Sequence, residues 1–230
     1  LRVKKNILIR IYSRLLAKNS NRKWWPADTP FEVIIGAILT QNVSWKNVKT
    51  AICNLKEKEI LSPEKLRYLD CHEIAPLIKS SRFYNQKAIK IKNFMDFFFN
   101  EYDGDLSIMS KEDPALLRQK LLTIKGLGEE TVDSILLYAC NMPFFVVDAY
   151  TKRIFSRYGL IQDNASYRDV QLFFTRNLPK DIELFNDFHA QIVHLGHLIC
   201  KTQPRCNLCP IRKINENLKC RYYLENYPPI

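Results

Sequence analysis

Hydrophobic residues return at helical spacing along almost the whole chain. Phe31, Ile34, Ile35, Ile38 and Leu39 fall at i, i+3, i+4, i+7 and i+8, one face of a helix. Thr29 and Pro30 just upstream supply an N-cap and a first-turn proline. The same pattern predicts helices over Trp45–Lys58 and from about Tyr84 to Asn100, where Ala88, Ile91, Met95 and Phe98 repeat every three or four positions. Further helices are expected over 114–122, 129–140, 149–159, 166–178 and 181–199. No stretch shows sustained strand alternation bounded by hairpin turns. The expected fold class is all-α, about ten helices with short connections, and an extended tail from Tyr222 to Ile230 containing Pro228 and Pro229.

A length of 230 residues suits one large domain or two small interlocked ones. Hydrophobic residues make up 47% of the chain, with 6 Gly and 11 Pro, which excludes disordered, collagen-like and low-complexity chains. No apolar run approaches the length of a membrane helix, about 20 residues, and Ile135–Cys140 reads as a piece of core. The basic N-terminus has no long apolar region behind it, so no secretory signal is read. The balance of 35 basic to 24 acidic residues leaves a net charge of +11 and points to an anionic partner. Residues 1–25 hold Arg2, Lys4, Lys5, Arg10, Arg14, Lys18, Arg22 and Lys23 and no acid. Such a helix either tracks a polyanion or presents a solvated face.

Three local features carry chemistry. Leu122–Thr131 places Lys125, Gly126 and Gly128 between two helical patterns. Gly-Leu-Gly permits a tight turn that bares amide N–H groups at the start of the next helix, a setting that attracts phosphate, with Lys125 adding charge. A plain helix–helix connection is the simpler alternative. Downstream, the apolar run Phe144–Val147 ends in Asp148, either an N-cap or a carboxylate held near a cationic transition state, or both. Finally, Cys200, Cys206, Cys209 and Cys220 are spaced C-x5-C-x2-C-x10-C, a set suited to a metal or iron–sulfur centre, or to disulfides outside the cell. A four-thiolate zinc site more often uses two C-x2-C pairs, and only one is present. Cys53, Cys71 and Cys140 read as core residues. His189, His194 and His197 precede Cys200 and read as hydrogen bonders at the edge of the core, although His194 and His197 have a spacing that could bind metal.

Ile124-Lys-Gly-Leu-Gly-Glu-Glu-Thr131 followed by Val146-Val-Asp-Ala-Tyr150 resembles the helix-hairpin-helix and downstream Asp of the endonuclease III superfamily of DNA glycosylases. Gly36–Asn42, Phe83–Ala88 and the C-terminal cysteines extend the resemblance over about residues 25–220. It implies a two-lobed helical fold with DNA across the cleft. The expected lobes are 25–135, ending in the hairpin, and 1–24 plus 136–230, carrying a cluster loop at 200–220. The resemblance further implies a [4Fe-4S] cluster on Cys200, Cys206, Cys209 and Cys220, with zinc as the alternative. The usual family spacing is C-x6-C-x2-C-x5-C, from which this chain departs in the first and last gaps. Implied too is hydrolysis of an N-glycosidic bond with Asp148 as the catalytic carboxylate. Strand-cutting members carry a Lys directly before the hairpin Thr. Here that residue is Glu130, which cannot form an imine, so a monofunctional enzyme with little or no lyase activity is expected.

The three tryptophans flank the first core helix, in Lys23-Trp-Trp-Pro26 and at Trp45. With Thr40-Gln-Asn42, Phe-Tyr-Asn-Gln-Lys87 and Val-Val-Asp148 they resemble the bacterial 3-methyladenine DNA glycosylases. That likeness assigns Trp24, Trp25, Trp45 and Glu130 to a base pocket, and Gln41, Lys125, Gly126, Gly128 and Lys152 to DNA contact, with Gln41 filling the gap left by a flipped base. An aromatic cage favours a cationic alkylpurine by about 0.5–2 kcal/mol. Arg82 departs from this pattern, standing where relatives commonly have Gly. The expected partner is double-stranded DNA containing a damaged base, engaged by a monomer with no membrane involved, in the cytoplasm and associated with the nucleoid. The alternatives are a mismatch or oxidised-base glycosylase on the same scaffold and a non-catalytic DNA-binding module.

Overall fold

The computed structural model describes residues 2–22, 24–215 and 218–227, with 2–6 as backbone only. Lys23, Pro228–Pro229 and the side chains of Arg2, Lys4 and Lys5 lie outside the described residues. The architecture is all-α, as the periodicity predicts. The helices are α1 (Arg2–Asn19), α2 (Pro30–Leu39), α3 (Trp45–Glu57), α4 (Pro63–Tyr68), α5 (Cys71–Leu77), α6 (Tyr84–Tyr102), α7 (Leu106–Met109), α8 (Pro114–Leu122), α9 (Glu129–Ser134), α10 (Ala149–Tyr158), α11 (Tyr167–Asn177), α12 (Ile182–Leu198) and α13 (Arg221–Asn226). A small antiparallel ribbon, β1 (Lys213–Asn215) and β2 (Leu218–Lys219), pairs Lys213 with Lys219 and Asn215 with Leu218.

Four expectations need correcting. The helix expected over 129–140 stops being α at Ser134 and continues as a π turn, Ile135–Ala139, in which Cys140 N–H bonds Ile135 O at 3.1 Å. The expected extended tail is helical from Arg221 to Asn226, where Tyr223 and Tyr227 stack one turn apart at 5.7 Å. Cys53 is exposed rather than core, because α3 turns Val48, Ala51, Ile52 and Leu55 inward and 53 outward. Of the three cysteines expected in the core only Cys140 is buried, Cys71 being intermediate. The short helices α4, α5 and α7 are too brief for periodicity to reveal, but Ser62, Asp70 and Asp105 cap their first turns.

The chain divides into two compact units, Trp25–Met142, and Leu1–Trp24 with Pro143–Ile230. The centre of the first is α2, buried from Phe31 to Leu39, as a helix apolar on all sides must be. Thr29 Oγ1 caps it by accepting from Glu32 N–H at 3.1 Å, and the buried Glu32 carboxylate pairs with Lys56 at 2.7 Å. The α8–α9 hairpin is locked from inside. Arg118 forks onto Asp133, Nε to Oδ1 at 2.6 Å and Nη2 to Oδ2 at 3.0 Å, and Asp133 is 0% exposed.

The second unit packs Phe145, Phe155, Phe174, Phe185 and Phe188 into one buried cluster, with Phe145 and Phe174 stacked at 4.0 Å. Burying each ring contributes about 1.5–3 kcal/mol. The N-terminal segment joins this unit through buried Asp187 of α12, which accepts from Tyr12 Oη at 2.9 Å and Arg22 N–H at 2.7 Å. Beside it, Gln191 donates to Ser20 O at 2.7 Å and accepts from Asn19 at 2.9 Å.

Replacing Arg118 by Met takes both guanidinium donors from a fully buried carboxylate. Urea denaturation should show a loss of about 3–5 kcal/mol, whereas a loss under about 1 kcal/mol, typical of exposed pairs, would mean the fork does not hold the hairpin.

Candidate functional site

The turn between α8 and α9 alternates buried and exposed residues. Ile124 and Leu127 anchor it in the core while Lys125, Gly126 and Gly128 are exposed. Gly126 adopts φ +101°, and a Cβ there would stand 2.6 Å from Lys90 Cγ, so both backbone and packing demand glycine. Gly128 is different: its φ is −96° and a Cβ would meet nothing within 4 Å. What its missing side chain provides is open access to the first turn of α9. From α6, Asn93 holds Lys125 O at 2.9 Å, and Lys90 Nζ donates to Gln41 Oε1. Gln41 Nε2 donates in turn to Gly126 O at 3.2 Å and Thr131 Oγ1 at 2.9 Å. Gln41 is thus tied to the hairpin. Glu129 pairs with Arg118 at 3.5 Å, and Glu130 is exposed in the first turn of α9.

The C-terminus of α2 is held by a buried cation. Lys87 Nζ donates to Leu39 O at 2.7 Å and Ser81 O at 2.6 Å, and burial, with Lys90 nearby, pushes its ammonium down to about 8. One turn before Lys87, Arg82 and Phe83 both have positive φ, 54° and 43°. Arg82, with ψ 163°, holds a backbone conformation that glycine adopts far more easily than arginine. Phe83, the residue just before α6, is 63% exposed.

An aromatic wall stands in the same unit. Trp25 meets Trp45 edge-on at 5.1 Å and Tyr138 at 5.4 Å, with interplanar angles of 88° and 53°. The Trp25 indole rests on Gly36 of α2, where a Cβ would come within 3.3 Å of its Nε1. Trp45 opens α3, and the π turn carries Tyr138. Trp24, one residue before Trp25, counts with the other unit.

In the second unit Asp148 caps α10. Its Oδ1 accepts from Thr151 N–H at 2.7 Å and Thr151 Oγ1 at 2.8 Å, and its Oδ2 lies 3.7 Å from His189 Nε2 on α12. The Asp148 side chain is 12% exposed. Burial pushes the His189 imidazole below its usual range, against the pull of the Asp148 charge. Lys152 Nζ donates to Ala165 O at 3.0 Å, so its amine is engaged within the protein.

The four C-terminal cysteines line one cavity with Arg157 and Arg212. Among the described residues all seven cysteines are free thiols, and no three Cys, His, Asp or Glu side chains converge as ligands of a single ion. Burial pushes the Cys206, Cys209 and Cys220 thiols up, Cys209 to about 12. Thiols held in this way become thiolates only where a cation compensates them. Arg157 Nη1 lies 3.4 Å from Cys200 Sγ and also donates to Lys201 O. The buried Tyr158 hydroxyl, close to Cys209 and Cys220, has no hydrogen-bond partner among the described residues. This donor set, with a spare hydroxyl donor beside it, fits a thiolate-held metal centre.

The structure therefore gathers Gln41, Lys125, Gly126 and Gly128 at the hairpin, Trp25 and Trp45 at the wall, and the four cysteines at a cavity. Tyr138 joins the wall and Lys90 the hairpin, and neither stands out from sequence. Tyr138 sits in a run read as core, and His189 was set aside as a core-edge group.

Residues 35–180 match the HhH-GPD superfamily of base excision DNA repair proteins. A candidate DNA repair glycosylase of Methanocaldococcus jannaschii is 45% identical over 209 residues, covering 90% of this chain and 94% of that one. An endonuclease III of Sulfolobus acidocaldarius is 30% identical over 198 residues, covering 85% and 83%. The crystal structure of the Helicobacter pylori 3-methyladenine DNA glycosylase bound to 1,N6-ethenoadenine is similar at TM-score 0.73 and 28% identity, covering 84% of this chain and 96% of that one. No described helix is long and apolar enough to cross a membrane.

Folded protein releases the Lys87 proton near pH 8, whereas an unperturbed lysine does so near 10.5. Across that window the unfolded chain binds more protons, so this group adds stability as pH rises. Denaturation of wild type and Lys87→Met from about pH 8 to 10.5 should show the wild-type-minus-variant difference growing more positive with pH. A flat difference would rule out a depressed ammonium.

Proposed function

Since the chain belongs to the HhH-GPD superfamily of base excision DNA repair proteins, we propose that it is a monofunctional DNA glycosylase that hydrolyses the N-glycosidic bond of alkylated purines of the 3-methyladenine type. The observation that carries the substrate reading is the wall formed by Trp25, Trp45 and Tyr138. A base must leave the helix stack to be processed, at a cost of a few kcal/mol. An N-alkylated purine carries ring charge, and aromatic faces offset that cost through cation–π attraction of about 0.5–2 kcal/mol. The similarity to the Helicobacter pylori 3-methyladenine enzyme supports the same choice.

The chemistry needs little beyond a fixed carboxylate. As the C1′–N bond breaks, the base departs with the bonding electrons and becomes neutral, and the sugar takes on oxocarbenium character. Asp148, held by the amide and hydroxyl of Thr151, stabilises that charge and accepts the proton of the water that adds to C1′. Because the charged base is already a good leaving group, no strong general acid is required. Glu130, rather than an amine, in the first turn of α9 leaves no nucleophile there for imine formation. The exposed Lys125-Gly-Leu-Gly128 turn offers amides and a cation to a backbone phosphate. Gln41, just beyond α2 and bonded to the hairpin, supports the opened helix. Duplex DNA with a damaged base is the partner, engaged by a monomer.

Cys200, Cys206, Cys209 and Cys220 would hold a [4Fe-4S] cluster. When bound it supplies a four-point cross-link to residues 200–220, and bond cleavage draws no electrons from it. Zinc is the alternative. A four-thiolate zinc site more often uses two C-x2-C pairs, and this chain has one, Cys206 and Cys209. The similarity to an endonuclease III favours a second reading, an oxidised-base or mismatch substrate on the same scaffold.

Base release from a methylated DNA duplex tests the proposal. Free 3-methyladenine is expected, with the abasic strand intact until alkali is added. Protein that binds the duplex yet frees no alkylated base would favour the second reading. Asp148→Asn should keep lesion binding while turnover falls by several orders of magnitude, and unchanged turnover would remove Asp148 from catalysis. For the cofactor, purified protein should carry about four irons per chain, and Cys209→Ser should lose them; stoichiometric zinc instead would replace the cluster assignment.

A further inference from the structure

The two oxygens of Asp148 are held differently. Oδ1 takes both the amide and the hydroxyl of Thr151, while Oδ2 faces His189 Nε2 at 3.7 Å. His189 is 5% exposed and rides on a helix fixed on both sides. Asp187 and Gln191 bind it to the N-terminal segment, and Tyr150 of α10 packs against Gly196 of α12. The imidazole therefore has little freedom to leave Asp148.

Burial disfavours the imidazolium. That matters for what sits beside a carboxylate whose charge must meet an oxocarbenium ion. An ammonium or guanidinium there would cancel the field, whereas a neutral N–H orients the oxygen and leaves the charge in place. A separation of 3.7 Å is too long for a direct hydrogen bond, but contacts of this kind commonly shorten when substrate binds.

We propose that His189 is a positioning residue for Asp148: as the neutral Nε2–H tautomer it donates to Oδ2 in the substrate complex and fixes the oxygen that Thr151 does not hold. The proposal rests on the reading of Asp148 as the catalytic carboxylate.

Two substitutions separate this role from packing. His189→Gln places an amide N–H near the position of Nε2. His189→Asn is equally polar but reaches only as far as Nδ1. Single-turnover base release from methylated duplex and affinity for an abasic-site duplex are measured for both, beside Asp148→Asn, with thermal melting to confirm folding. His189→Gln should stay within a few-fold of wild type. His189→Asn should slow release on the order of 10²-fold, as misplacement of a reacting group does, with DNA affinity unchanged. Equal rates for the two variants, or parallel loss of rate and affinity, would overturn the proposal. An inactive Asp148→Asn beside a fully active His189→Asn defeats the His189 role alone. A fully active Asp148→Asn, or wild type that frees no base, defeats the reading beneath it as well. Independently of turnover, 15N-histidine spectra should show His189 as the neutral Nε2–H form that shifts in Asp148→Asn. A Nδ1–H tautomer would sink the assignment.

Discussion

The carboxylate of Asp187 is the point at which two distant stretches of chain become one folded unit. It is buried and accepts from a tyrosine hydroxyl on α1 and from a backbone amide just beyond that helix. A buried anion tolerates such a place only when its donors are complete, so docking of the first helix and burial of this charge form one event. Gln191, a turn later, repeats the arrangement with Ser20 and Asn19. The helix that carries both residues also carries His189, turned toward Asp148. Stiffness of the candidate catalytic carboxylate thus traces to contacts made by the first twenty or so residues, far from it in sequence.

A charge of +11 invites the view that every cation awaits a phosphate. Many of them have other work. Lys87 holds Leu39 and Ser81 carbonyls, Lys152 holds Ala165, Arg153 holds Gly196 and Cys200, and Arg157 holds Lys201 and Thr202. These side chains satisfy carbonyls that helix ends and loops leave open. Together they replace regular backbone pairing around the places where chemistry is expected. The cations left to meet an anionic partner are fewer than composition suggests, and Lys125 stands exposed on its turn.

Much of the fold was legible because long amphipathic helices announce themselves several turns at a time. Thr29 as a cap, the break at Gly126 and Asp148 at a helix start could all be read from residue type, since each is a local backbone requirement. The short α4, α5 and α7 span too few turns for a period, and α13 was masked by the prolines that follow it. The site was less legible because its pairings are not local. Nothing in the spacing links His189 to Asp148 or Gln41 to Thr131. Tyr138 was hidden for another reason: an ordinary helix period carried through Ile135–Cys140 gives the wrong face, since the backbone there is not α.

That π turn makes the aromatic wall depend on a length as well as on residue identity. Closing a hydrogen bond across five residues instead of four advances everything after it by one position. Tyr138 faces Trp25 in that shifted phase. A sequence shorter by a single residue in this stretch would relax to plain α-helix and bring a neighbouring side chain to the indole, with every amino acid of the wall still encoded. On this scaffold an insertion or deletion is therefore an alternative to substitution as a route to a new wall, and two such chains could align well by residue type while presenting different aromatic surfaces.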